Sequence, residues 1–121
     1  MSRRVLIIED ETNIIEAMSF ILSREGWEVK THSNGHDAMD IIRCRAPDVI
    51  ILDVMLPGRS GFDILQDIRA DEKLADIPVL MLTALGQRKD REFAERIGAT
   101  RFMTKPFSNI DVLTAVHDMV R

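Results

Sequence analysis

Three runs of four apolar residues constrain this chain more than any other feature: Val5-Leu6-Ile7-Ile8, Val49-Ile50-Ile51-Leu52 and Val79-Leu80-Met81-Leu82. Each is short and rich in β-branched side chains, which favours strand over helix. None alternates with polar residues, so both faces of each strand must be covered. That is the pattern of a parallel sheet with helices packed on both sides. Two weaker candidate strands run from Trp27 to Thr31 and from Arg101 to Thr104.

Segments with helical spacing lie between the runs. Ile14, Met18, Ile21 and Leu22 fall on one face, with Asp10, Thr12 or Asn13 as candidate caps. Ala38, Met39, Ile41 and Ile42 mark a second helix, stopped by Ala46-Pro47, and Phe62, Leu65 and Ile68 a third, opened by Ser60. A poorer fourth runs from about Lys89 to Ile97 and ends at Gly98. Ser108 opens a fifth through Val112, Leu113, Val116 and Val120. Strand and helix thus alternate five times, which predicts a doubly wound α/β domain with right-handed crossovers and a five-stranded parallel sheet. Residues 1–121 read as one domain, with the fifth helix using up the chain and no linker or repeat interrupting it.

Composition removes several function classes. Sixteen basic against twenty acidic residues give a net charge of −4, without the basic footprint of a nucleic-acid binder. Tyrosine is absent and aromatic residues are 5%, too few for base-stacking platforms. The single cysteine, Cys44, excludes an intramolecular disulfide and a multi-thiolate zinc site. No apolar run approaches the ~20 residues that span a bilayer, and no signal-peptide core follows Arg4. The expectation is a soluble domain of a reducing compartment.

The polar residues fall where such a sheet binds ligands. Glu9, Asp10 and Glu11 follow the first run, Asp53 the second, Thr83 the third, and Lys105 the last strand, all at carboxyl ends. Each has a bland alternative: a helix cap for Asp10 or Thr83, a solvated surface lysine for Lys105. Taken together, converging carboxylates would repel unless a hard cation joined them, and Mg²⁺ takes one or two carboxylates beside a phosphate. A lysine and a hydroxyl nearby suit charge spread over phosphoryl oxygens. Asp53 is then either a metal ligand or a nucleophile forming an acyl phosphate.

The ordered set Ile8-Glu9-Asp10-Glu11, Asp48 through Pro57, Gly61, Leu82-Thr83-Ala84 and Thr104-Lys105-Pro106-Phe107 resembles the receiver domain of bacterial two-component response regulators, of the chemotaxis-regulator type. The resemblance covers essentially the whole chain. It implies a flavodoxin-like (βα)5 three-layer sandwich with strand order 2-1-3-4-5. It implies Asp53 as phosphoacceptor, Mg²⁺ held by Asp10 directly, by Glu9 through water, by Asp53 and by the backbone carbonyl of Met55. Thr83 and Lys105 would engage the phosphoryl group, Phe102 would be the aromatic switch, and the Lys105-Pro106 bond would be cis. The implied partners are a histidine kinase or phosphotransfer protein and a downstream effector protein or domain, with no direct nucleic acid or membrane contact. The domain would be cytoplasmic, monomeric when unphosphorylated, and a signalling switch that catalyses only its own phosphorylation and slow dephosphorylation.

Four positions depart from the family pattern. Glu9 is one methylene longer than the common aspartate, and Met55 offers no polar side chain. Ile110 stands where winged-helix regulators often carry an arginine that pairs in a dimer through the fourth helix, fifth strand and fifth helix. Gly86 after Leu85 loosens the loop before the fourth helix. Competing readings are a haloacid-dehalogenase-like phosphatase, a flavodoxin and a pseudo-receiver binding module. The first wants its nucleophile in Asp-x-Asp after the first strand, and the second a phosphate loop free of carboxylates. The third is disfavoured by the retained acidic, hydroxyl and lysine positions. Cys44 and the methionines read as packing residues, His32, His36 and His117 as surface histidines, and Gln87 to Arg91 as a solvated helix start.

Overall fold

The computed structural model describes residues 3–84 and 87–120. In chain order the elements are β1 (Arg4–Ile8), α1 (Thr12–Arg24), β2 (Glu28–His32), α2 (Ala38–Arg45), β3 (Val49–Asp53), α3 (Gly61–Ala70), β4 (Val79–Thr83), α4 (Arg88–Arg96), β5 (Arg101–Thr104) and α5 (Asn109–Met119). All strand pairs are parallel, in the order β2-β1-β3-β4-β5. The three apolar runs are the three central strands. The two weak candidates are the edges, where one side of the strand lacks a neighbour and Glu28, Lys30, Thr31 and Arg101 stay exposed. The β2 edge begins one residue later than its sequence pattern, at Glu28.

Alternation within the central strands sorts the core into two layers. Leu6, Ile8, Ile50, Leu52, Val79 and Met81 face Ala38 and Ile42 of α2 and Ile64, Leu65 and Ile68 of α3. Val5, Ile7, Val49, Ile51, Leu80 and Leu82 face Met18 and Leu22 of α1 and Val112, Ala115 and Val116 of α5. Each fully buried Leu or Ile contributes about 1.5–3 kcal/mol relative to exposure. The α4 helix buries only Ala94 and leans on α3 through Phe93, edge-on to Phe62 at 5.0 Å. Its weak sequence signal reflects that shallow docking.

Several local expectations meet a different structure. The N-cap of α1 is Glu11, not Asp10, Thr12 or Asn13, and its side chain makes no capping bond. Ser60 and Ser108 do cap α3 and α5, the latter in a reciprocal box with Asp111. The α2 helix stops at Ala46, which takes a left-handed φ of 47°; the following proline disfavours right-handed helix there. Cys44 is exposed rather than packed, because Ala38 and Ile42 take the inward face of α2. Met55 is likewise exposed, at 61%, in the loop after β3. His32 is half-buried and bonded to Asp37 at 2.6 Å. Leu85 and Gly86 lie outside the described residues. Among the described residues, no helix is long and apolar enough to cross a membrane.

Candidate functional site

The carboxyl ends of β1 and β3 lie side by side where the order of connections reverses, so the loops after them leave in opposite directions and open a crevice. Backbone pairing continues one residue past three strands. Glu9 N–H donates to His32 O at 3.0 Å, Val54 N–H to Leu82 O at 2.9 Å, and Lys105 N–H to Thr83 O at 2.8 Å. The loops that carry the polar side chains are therefore anchored at their roots. Gly61 lets α3 start against the end of β3; a Cβ there would run into the carbonyl oxygen of Asp53 and crowd Val54 at 2.9 Å.

The side chains of Glu9, Asp10 and Asp53 each bring one oxygen into a group whose members lie within 4.8 Å of one another. Glu9 and Asp53 are 0% and 1% exposed, whereas Asp10 is exposed. Glu9 uses its length fully. Its Oε2 accepts the N–H groups of Asp10 at 2.9 Å and Glu11 at 3.1 Å, which holds the turn into α1. Its Oε1 lies 2.7 Å from Lys105 Nζ. That contact is a buried ion pair.

Lys105 also approaches Glu11 Oε1 at 3.1 Å and Asp53 Oδ1 at 3.4 Å. Burial alone would lower its pKa, but the carboxylates of Glu9, Glu11 and Asp53 outweigh it and hold the ammonium above its ordinary value. Burial pushes the Asp53 carboxyl up to about 7, with Glu9 adding to the rise. Lys105 and the Met55 N–H, 3.3 Å from Asp53 Oδ1, pull the other way and lose. Four carboxylates and one ammonium make a site short of positive charge.

Thr83 ends β4 beside this group, 1% exposed, and pairs in register with Thr104. The Lys105-Pro106 peptide bond is cis. Phe102 is not part of the carboxylate group. It lies opposite Met81, half-buried, with the Arg91 guanidinium 5.2 Å from its ring centre. Two contacts had no signal in the sequence, the Glu11–Lys105 pair and the Arg91–Phe102 stack. Both join residues on different elements, which chain spacing does not reveal.

Residues 5–117 match the sequence profile of the response regulator receiver domain. The chain belongs to that family. Solved receiver structures agree across almost the full length. The chemotaxis response regulator CheY4 of Vibrio cholerae is 28% identical, with a TM-score of 0.91 over 98% of this chain and 99% of that one. The receiver domain of a signal transduction histidine kinase from Syntrophus aciditrophicus is 28% identical, with a TM-score of 0.89 over 98% and 90%. A LuxR-family DNA-binding response regulator from Staphylococcus aureus is 26% identical, with a TM-score of 0.88 over 98% and 99%. The receiver fold thus accounts for the strand order and for where the carboxylates gather.

Proposed function

We propose that this receiver domain is a phosphorylation-dependent switch whose phosphoacceptor is Asp53. The observation that carries the reading is the convergence of a buried Asp53 with Glu9, Asp10 and the Lys105 ammonium at one end of the sheet. In the transfer, an Asp53 carboxylate oxygen attacks phosphorus. The new O–P bond forms as the P–N bond of a phosphohistidine, or the P–O bond of acetyl phosphate, breaks and its electron pair leaves with imidazole or acetate. Lys105 then pairs with the phosphoryl oxygens, and the Thr83 hydroxyl donates to one of them.

The donor set fits Mg²⁺: three hard oxygen ligands lie close together, and one lysine does not balance their charge. Asp10 and Asp53 would hold the ion directly, Glu9 through water, and the Met55 backbone carbonyl would complete the protein ligands. Bound there, the ion supplies positive charge to the transferring phosphoryl group. Glu9 and Lys105, 2.7 Å apart and both mostly buried, keep the site ordered.

The phosphodonor on this reading is a histidine kinase or phosphotransfer protein of the cytoplasm, and the receiver of the signal is an effector protein or domain. Residues 1–121 act as one phosphoacceptor unit, monomeric before phosphorylation, and the output is a conformation rather than a product. The test is mass measurement after incubation with acetyl phosphate and Mg²⁺. One base-labile phosphoryl group is expected, lost in Asp53→Asn. Phosphate recovered on Ser60 or His117 would overturn the assignment.

A further inference from the structure

The three carboxylates around Lys105 are not equivalent. Glu9 and Asp53 are buried members of the oxygen group with Asp10, whereas Glu11 stands outside that group with its side chain 58% exposed. Even so, Lys105 donates a hydrogen bond to Glu11 Oε1 at 3.1 Å in addition to its 2.7 Å contact with Glu9 Oε1. Glu11 is the N-cap of α1 and caps nothing with its side chain. Its carboxylate instead reaches a lysine 94 positions away in the chain.

We propose that Glu11 is a positioning residue that holds Lys105 in the unphosphorylated domain and must release it on phosphorylation. The inference rests on Asp53 being the phosphoacceptor. An ammonium has three N–H donors, and a phosphoryl group brings up to two negative charges and three acceptor oxygens. When Glu9, Asp10 and Asp53 turn to the ion and the phosphoryl group, Glu11 is the carboxylate still free to compete for Lys105. It therefore opposes the phosphorylated state, and removing it should favour that state. The Glu11 side chain is 58% exposed, so water screens its half of the pair and the effect should be modest, about two- to fivefold.

The experiment is calorimetric titration of the full chain with trifluoroberyllate, a phosphoryl mimic, in saturating Mg²⁺. Glu11→Ala should tighten binding about two- to fivefold. Glu11→Asp should tighten it similarly: it keeps the charge, but the shorter carboxylate is drawn to cap α1 instead of reaching Lys105. In a Lys105→Met background, Glu11→Ala should change nothing, because the coupling runs through the lysine. If Glu11→Asp binds like the wild type, or Glu11→Ala still tightens binding without Lys105, the effect is the general field of a charge and the inference is overturned. Wild-type protein that fails to bind trifluoroberyllate with Mg²⁺ would overturn the phosphoacceptor reading itself, a result readable before any Glu11 variant is made.

Discussion

Burial makes Asp53 a poor place for a negative charge. Its carboxyl titrates near 7 in the folded state and near 3.8 when unfolded. Between those values the folded protein holds a proton that the unfolded chain has released. The contribution of this one group to stability is therefore fullest below about 3.8 and is lost as pH rises toward 7, the reverse of a salt-bridged carboxylate. Asp53→Asn should remove that loss. Thermal melts in chelator should show the variant close to wild type at pH 4 and more stable by about 1–3 kcal/mol at pH 8. A difference that shrinks with rising pH would contradict the assignment. The Glu9 Oε2 braces the Asp10 and Glu11 N–H groups while its Oε1 reaches within 2.7 Å of Lys105 Nζ.

Elements place these residues, and the α3 start is the tightest fit. Gly61 N–H donates to Val54 O at 2.9 Å, and its missing Cβ is what allows α3 to abut the backbone of Asp53. Gly61→Ala should cost about 1–3 kcal/mol as an overpacked contact. Denaturant titration would read that loss, and the variant should also bind Mg²⁺ more weakly because Asp53 is pushed. Unchanged stability and affinity would mean the helix can simply tilt away. At the other end of the sheet, α4 rests on Ala94 and the Phe93–Phe62 edge, so it is the helix least held by the core. Arg91 over Phe102 adds about 0.5–1 kcal/mol, a contact weak enough to be exchanged.

Over the whole molecule, the proposed signal must travel from Asp53 to the surface of α4, β5 and α5. Thr83 ends β4 and is paired in register with Thr104, two residues beyond Phe102 on β5, so a shift of the Thr83 hydroxyl is felt close to that ring. A few kcal/mol of differential contact suffices, since about 5.5 kcal/mol carries a population from 1:99 to 99:1. With trifluoroberyllate and Mg²⁺, amide shifts should therefore spread into residues 87–113 and not stop at the loops around Asp10 and Asp53. Confinement to those loops would refute the coupling. Ile110 is 73% exposed on that face. Sedimentation of the activated protein should show a monomer, because an isoleucine there cannot supply the charge pair of a winged-helix regulator dimer.

Much of this architecture is legible one-dimensionally because burial leaves a local mark. A strand covered on both faces must be apolar at consecutive positions, so β1, β3 and β4 stand out, and the polar residues at or just beyond their carboxyl ends mark the end of the sheet where the site is proposed. Edge strands and the shallow α4 leave weaker marks because half of each meets water. Ser60 and Ser108 are readable as caps since a cap acts within three residues. Tertiary structure alone decided the rest. Glu11 serves Lys105 instead of its own helix, Arg91 covers Phe102, Cys44 and Met55 face outward, and Gly61 meets Asp53. Each of these depends on which side chain the packing of separate elements brings within a few ångströms, and no spacing along the chain encodes that distance.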